Sequence, residues 1–218
     1  MKKLSILLPL FLMSFTSNDP ITGWTYAELE KADTGWSASY LSLEERNTIK
    51  LMNIARMDGR RFFDTYIKDY VIKLNTNWYS VDTTGYYYTS LKEDLYKTKN
   101  LPLLYPDRLL FEAAKYHAVD MGKSGQLGHE SNDGTSFYNR LKRITGTEYS
   151  VSENCAYGSS KAMDIVFQLL HDEGVESLGH RHNILNQSSK SVGVAIRSHK
   201  VYRYNCVMDF SNEPAKQK

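Results

Sequence analysis

Apolar residues along this 218-residue chain fall first into one continuous run, then into helical spacings, and last into strict alternation. The continuous run extends from Leu4 to Phe15 and is broken by Ser5, Pro9 and Ser14. From Ile21 to Tyr40 no helical period is visible, so this segment is expected to drape irregularly over the rest. Ser42 stands three residues before Glu45, a capping-box arrangement, and Ile49, Met52, Ile54 and Ala55 follow at near-helical spacing. Asp58 and Gly59 interrupt that helix, and Phe62, Phe63, Tyr66, Ile67 and Tyr70 form a second amphipathic stretch. Between Asn75 and Asn100 turn residues surround tyrosines at 86, 87 and 88, and the expectation is a loop whose tyrosines fill space against the core. Pro106 suits a first helical turn; Leu109, Leu110, Ala113, Ala114, His117, Ala118 and Met121 then share one face until Gly122 and Gly125. A short helix carries Phe137, Leu141 and Ile144. A further one, capped by Ser159 or Ser160 and closed at Gly174, turns Ala162, Ile165, Val166, Leu169 and Leu170 inward. Residues 192–197 and 201–210 alternate around Ser198, His199 and Lys200, which predicts a β-hairpin. Helices followed by a hairpin predict an α+β layered domain.

The opening segment changes the compartment. Lys2 and Lys3 precede an apolar run too short for the roughly 20 residues that cross a bilayer, so residues 1–17 are expected to be a secretory signal peptide. No cysteine near its end offers a lipoprotein anchor. The protein is therefore expected to be secreted or periplasmic, with no integral membrane segment once the signal is removed. About 200 residues remain, enough for one domain with a sizeable core. The net charge of +2 comes from mixed charges without a long basic run, which points to neither nucleic acid nor an anionic membrane as a partner. Cys155 and Cys206 are the only cysteines, and in an exported chain such a pair is expected to form a disulfide; two buried thiols are the rival.

The polar residues that could carry chemistry are His129, Glu153 and His180, read as loop residues flanking helix ends. Imidazoles and a carboxylate brought together can bind a divalent metal or act as acid and base. No His-Glu-x-x-His phrase is present, and His180 and His182 would point to opposite sides of an extended segment. A Gly-x-Ser-x-Gly elbow is also absent. From the residues alone the cluster is an acid–imidazole set of undecided chemistry. His117 is expected in the core, and His171 and His199 on the surface.

The phrases at 51–56 (Leu-Met-Asn-Ile-Ala-Arg), 114–121 (Ala-Lys-Tyr-His-Ala-Val-Asp-Met), 128–134 (Gly-His-Glu-Ser-Asn-Asp-Gly), 137–141 (Phe-Tyr-Asn-Arg-Leu), 152–154 (Ser-Glu-Asn), 179–186 (Gly-His-Arg-His-Asn-Ile-Leu-Asn), 192–195 (Val-Gly-Val-Ala) and 209–210 (Asp-Phe) come in a telling order. Together they resemble the CAP superfamily of cysteine-rich secretory, antigen 5 and pathogenesis-related-1 proteins, in its bacterial SCP-like form. The resemblance implies a three-layer α-β-α sandwich with a small central antiparallel sheet. It also implies a division into signal peptide (1–17), N-terminal extension (18–43), CAP domain (44–211) and C-terminal tail (212–218).

The same resemblance implies a cleft lined by two histidines and two acids. By motif these are His129, Glu153, His180 and, as the second acid, Asp172; Glu173 is the alternative acid and His182 a reserve residue. Leu169 stands where many members carry the Trp of Trp-x-x-Glu, Ser152 where Gly usually precedes Glu-Asn, and the link from Asp172 to Gly179 is longer than usual. Two imidazoles with one or two carboxylates suit Zn²⁺ or another divalent metal. The function implied is a monomeric extracellular module binding a metal and a peptide, glycan or lipid. The alternative is a metal-assisted hydrolase with Glu153 or a metal-bound water as base. A third account has Glu153 and the two histidines fasten the hairpin to the helices.

Overall fold

The computed structural model describes residues 23–77, 80–146 and 151–216, so the expected signal peptide lies outside the described residues. Helix α1 (Tyr26–Ala32) begins at a capping box between Thr25 and Glu28, in a segment with no visible helical period. Seven residues are too few to display one. Helix α2 (Leu43–Met57) starts at the expected Ser42–Glu45 capping box. Asp58 caps α3 (Gly59–Phe62), which continues through a π-helical turn (Phe63–Ile67) into α4 (Lys68–Thr76). The tyrosine segment expected as a loop is helix α5 (Tyr86–Lys97), because Leu91 and Leu95, four residues apart, drive one face into the core. Pro106 lies in the two-residue strand β1 (Tyr105–Pro106); the helix that follows, α6 (Arg108–Ser124), is capped by Asp107 and closed by Gly125 in the left-handed region.

Helix α7 (Phe137–Thr145) is followed by strand β2 (Val151–Tyr157), helix α8 (Ala162–His171), helix α9 (Gly179–Ile184) and the hairpin of β3 (Ser191–His199) and β4 (Arg203–Ser211). The strands are ordered β1-β3-β4-β2, so β2 is an edge strand. The β3–β4 and β4–β2 pairings are antiparallel, but β1 joins β3 in parallel, which makes the expected antiparallel sheet mixed. Helix α6 covers one face of β3 and β4, with α7 packed on α6, while α2 and α8 cover the other. This is the three-layer α-β-α arrangement.

The close fit of α6 to the sheet depends on Gly193. A Cβ there would lie 2.1 Å from the Leu110 carbonyl carbon and 2.2 Å from the Phe111 nitrogen, both backbone atoms that cannot swing away. Gly193→Ala is therefore expected to destabilise the fold by about 1–3 kcal/mol, read as a lower urea midpoint; an unchanged midpoint would mean that α6 can lift at no cost.

The expected Cys155–Cys206 disulfide is not formed, and both residues are buried free thiols. Register explains it. Cys206 pairs with Ala156 and Cys155 with Val207, so the cysteines are offset by one position and project from opposite faces of the sheet.

Candidate metal-binding cleft

Glu153 was expected in a turn before a helix, but it lies in strand β2 opposite Asp209. Alternation puts Glu153, Cys155 and Tyr157 on the face beneath α6. There, almost wholly shielded from water, the Glu153 carboxylate is held at both oxygens. His129 Nδ1 donates to Oε1 at 2.9 Å, and Arg140 Nη2 donates to Oε2 in a short charge-assisted bond. Arg140 is itself fully buried, and its Nη1 donates to the His129 carbonyl at 2.9 Å and the Ser131 hydroxyl at 3.1 Å, so one guanidinium orders both the acid and the loop bearing the histidine.

Burial alone would raise the Glu153 carboxyl, but the bond from His129 and the charge of Arg140 outweigh it and hold the group below its ordinary range. Asp209 beside it goes the other way. Complete burial, then the neighbouring Glu153 charge, push it well above the usual carboxylate value, and neither of its oxygens receives a hydrogen bond from an N–H or O–H donor among the described residues. The site thus favours the neutral form of Asp209 beside the charged form of Glu153. His117 is the expected core histidine: fully buried, it donates from Nε2 to the Gly128 carbonyl at 3.0 Å, and burial lowers its pKa.

The second pair forms at the end of α8. Asp172 adopts φ 56° as the C-cap, and the chain bends back through residues 173–178 into α9. Its Oδ2 accepts the backbone N–H groups of His180 at 3.0 Å and Arg181 at 3.2 Å, while Oδ1 accepts His180 Nδ1 at 2.6 Å. The longer link thus lets one carboxylate both cap α9 and fix the imidazole at its start. Glu173 points into solvent with an oxygen 3.8 Å from His171 Nδ1, and His182 is exposed on α9.

Two buried arginines clamp this region. Arg181 donates to the Leu170, His171 and Tyr87 carbonyls and to Ser90 and Asp94, and Arg56 donates to the carbonyls of Pro102, Ile184, Asn186 and Ser189. Asn154, on the opposite face of β2 from Glu153, donates to the His180 carbonyl at 2.9 Å and ties α9 to the edge strand.

The four residues thus stand as two dyads, His129–Glu153 and His180–Asp172, and no three of them bring ligand-type atoms within 4.8 Å of one another. Cys155 links them. Its Sγ lies 3.8 Å from His129 Nδ1, and it lines, with His180, Asp172, Tyr157, Tyr70 and Phe167, a cavity of about 420 Å³. Among the described residues the one close set of metal-ligand types is His117, Glu153 and Cys155, all buried. These could hold a small cation, in competition with Arg140 on Glu153 and with the thiol proton, since burial raises the Cys155 pKa well above its ordinary value.

The model of the cysteine-rich secretory protein (CAP) family matches residues 49–210. The chain belongs to this family. Solved structures similar to its CAP domain include an extracellular SCP-domain protein of Bacillus anthracis, 28% identical over 52% of this chain with a TM-score of 0.44. The chain covers 35% of that protein's length. Another is an outer surface protein of Borrelia burgdorferi, 21% identical, covering 62% of this chain and 97% of the other, with a TM-score of 0.46. No curated protein matches. No described helix is long and apolar enough to cross a membrane.

Residue-by-residue reading of the sequence missed Arg140, Asp209 and the linking position of Cys155. The first two stand in the phrases at 137–141 and 209–210 that carry the family resemblance, but nothing local marks a lone Arg on a short helix as the partner of an acid 13 residues away.

Proposed function

We propose that this CAP domain is a secreted or periplasmic binding module whose cleft holds a divalent metal, with Zn²⁺ the best match, and presents it to an extracellular peptide, glycan or lipid in the adjoining cavity. The observation that carries this reading is the shared design of the two dyads. In each, a buried carboxylate accepts a hydrogen bond from Nδ1–H, which fixes the tautomer and leaves Nε2 with its lone pair. Both imidazoles are partly open to solvent, with 52% of the His129 side chain and 24% of the His180 side chain exposed, whereas both acids are almost wholly covered. His129 and His180 would then hold the metal through Nε2, with Glu153 and Asp172 orienting them. A bound Zn²⁺ would supply Lewis acidity and one or more open positions for ligand oxygen or nitrogen.

This assignment favours binding over hydrolysis with Glu153 as base. A carboxylate saturated by His129 and Arg140, and held below its ordinary range, is a poor proton acceptor.

Isothermal titration with Zn²⁺ is expected to give binding by the native protein and none by the His129→Ala, His180→Ala double variant. Affinity should decline on acidification, because metal and proton compete for the same imidazole nitrogen. Equal affinity of the two proteins would remove the reading.

A further inference from the structure

The tip of the β3–β4 hairpin lies next to the loop that carries His129, and it has an unusual surface. Leu127 and Val201 are 51% and 60% exposed, and Tyr202 and Tyr204 are also open to solvent. Residues 121–129 and 197–205, the two segments that meet here, contain no Asp or Glu, although Asp120 and Glu130 flank the first; they include Lys123, Lys200 and Arg203, all exposed and without an ion-pair partner among the described residues.

The tip is also rigid. His199 is buried, not on the surface as the sequence suggested: Nε2 donates to the Gln126 carbonyl at 3.0 Å, and Nδ1 accepts the backbone N–H groups of Val201 and Tyr202, each at 3.2 Å. Its ring packs with those of Tyr157 and Tyr202. Lys200 N donates to the Gly122 carbonyl at 3.1 Å, and Gly125 lies so close that an added Cβ would be 3.1 Å from the Lys200 and Val201 side chains. The apolar residues are therefore held outward by a tied turn, and none of the described residues covers them.

We infer that this tip docks on an anionic lipid bilayer surface, with Leu127, Val201 and Tyr202 entering the headgroup region and Lys123, Lys200 and Arg203 meeting the lipid charges. The occupant follows from the charge and the shape. An outward turn bearing aliphatic residues and tyrosines, with cations and no carboxylate, matches the polarity gradient of an anionic membrane interface. Each unpaired cation near such a surface strengthens attachment about fivefold. The mixed charge of the whole chain conceals this, because most of its acids lie outside these two segments and their flanks. Docking would set His129 beside the membrane, and it holds whether or not the cleft carries a metal.

Co-sedimentation with vesicles of phosphatidylcholine containing about 30% phosphatidylglycerol, compared with phosphatidylcholine alone, tests the inference. The full chain is expected to pellet with the anionic vesicles and to be released by about 0.5 M NaCl. Val201→Asp with Tyr202→Ser should reduce pelleting at least tenfold, as should Lys123→Glu with Lys200→Glu. Val201, Lys123 and Lys200 are exposed, so changes there should keep the native circular dichroism and thermal midpoint; Tyr202 also packs on His199 and Tyr157, so Val201→Asp alone, whose pelleting should fall in the same direction, separates docking from a loosened tip. Equal pelleting by native protein and variants, or no pelleting with anionic vesicles, would overturn the proposal. So would sedimentation velocity showing a native dimer that Val201→Asp with Tyr202→Ser converts to monomer, because the tip would then be a contact between copies of this chain.

Discussion

Replacing Arg140 with Met is expected to cost about 3–5 kcal/mol of folding stability, the largest loss from any single change near the cleft. The substitution keeps much of the apolar stem but leaves Glu153 as an ionised, covered carboxylate beside the buried Asp209. It also removes the donors to the His129 carbonyl and Ser131, so the loop carrying the imidazole loosens with the core. Equilibrium urea unfolding measures the effect, and a loss under about 1 kcal/mol would show that Glu153 finds other donors.

Asp209→Asn is the built-in contrast. Because the fold favours the neutral form of Asp209, at low pH Asn replaces one neutral side chain by another of similar shape, and the expected change there is small. The pH dependence has a definite sign. A carboxyl raised in the fold stabilises below its unfolded value, and that contribution falls as pH rises above it; a carboxyl lowered in the fold, such as Glu153, stabilises above the unfolded value and loses this as pH falls through its folded one. Asn at 209 should therefore remove the decline in stability on going from about pH 4 upward that Asp209 imposes.

What local pattern could express, the sequence expressed. The buried stripes of α2 and α6 extend over several turns, and the β3–β4 hairpin alternates around a polar turn, so periodicity found them. Strand β2 was hidden because both of its faces are covered and both carry polar groups: Glu153 answers to Arg140 on one side, and Asn154 to His180 and Asn183 on the other. Those partners lie 13 to 29 residues away, and no window of sequence brings them together. The failed disulfide has a similar cause. Export makes a cysteine pair eligible to bridge, but a register offset of one residue decides whether the sulfurs face each other. The motif order, by contrast, put forward His129, Glu153, His180 and Asp172 together, and the pairing of these four into two dyads is visible only in three dimensions.

Asp172→Asn is expected to lower Zn²⁺ affinity by about 10–100-fold with little loss of fold. Asn tolerates the left-handed backbone that Asp172 adopts at φ 56°, so the bend between α8 and α9 should survive. It cannot, however, satisfy all three donors that now converge on the carboxylate: His180 Nδ1 and the backbone N–H groups of His180 and Arg181. One amide oxygen must serve either the imidazole or the start of α9, and the amide NH₂ then faces an N–H group. Either choice weakens the hold on Nδ1, and with it the preference for a bare Nε2 toward the cleft. Glu173→Gln, at the neighbouring acid, should leave the affinity unchanged, because that carboxylate is exposed and lies 3.8 Å from His171 Nδ1. Titration calorimetry on the two variants separates the cases: a loss confined to Asp172→Asn assigns that acid to orienting His180, whereas equal affinities would mean that the imidazole is fixed by packing alone and the dyad has no part in holding a metal.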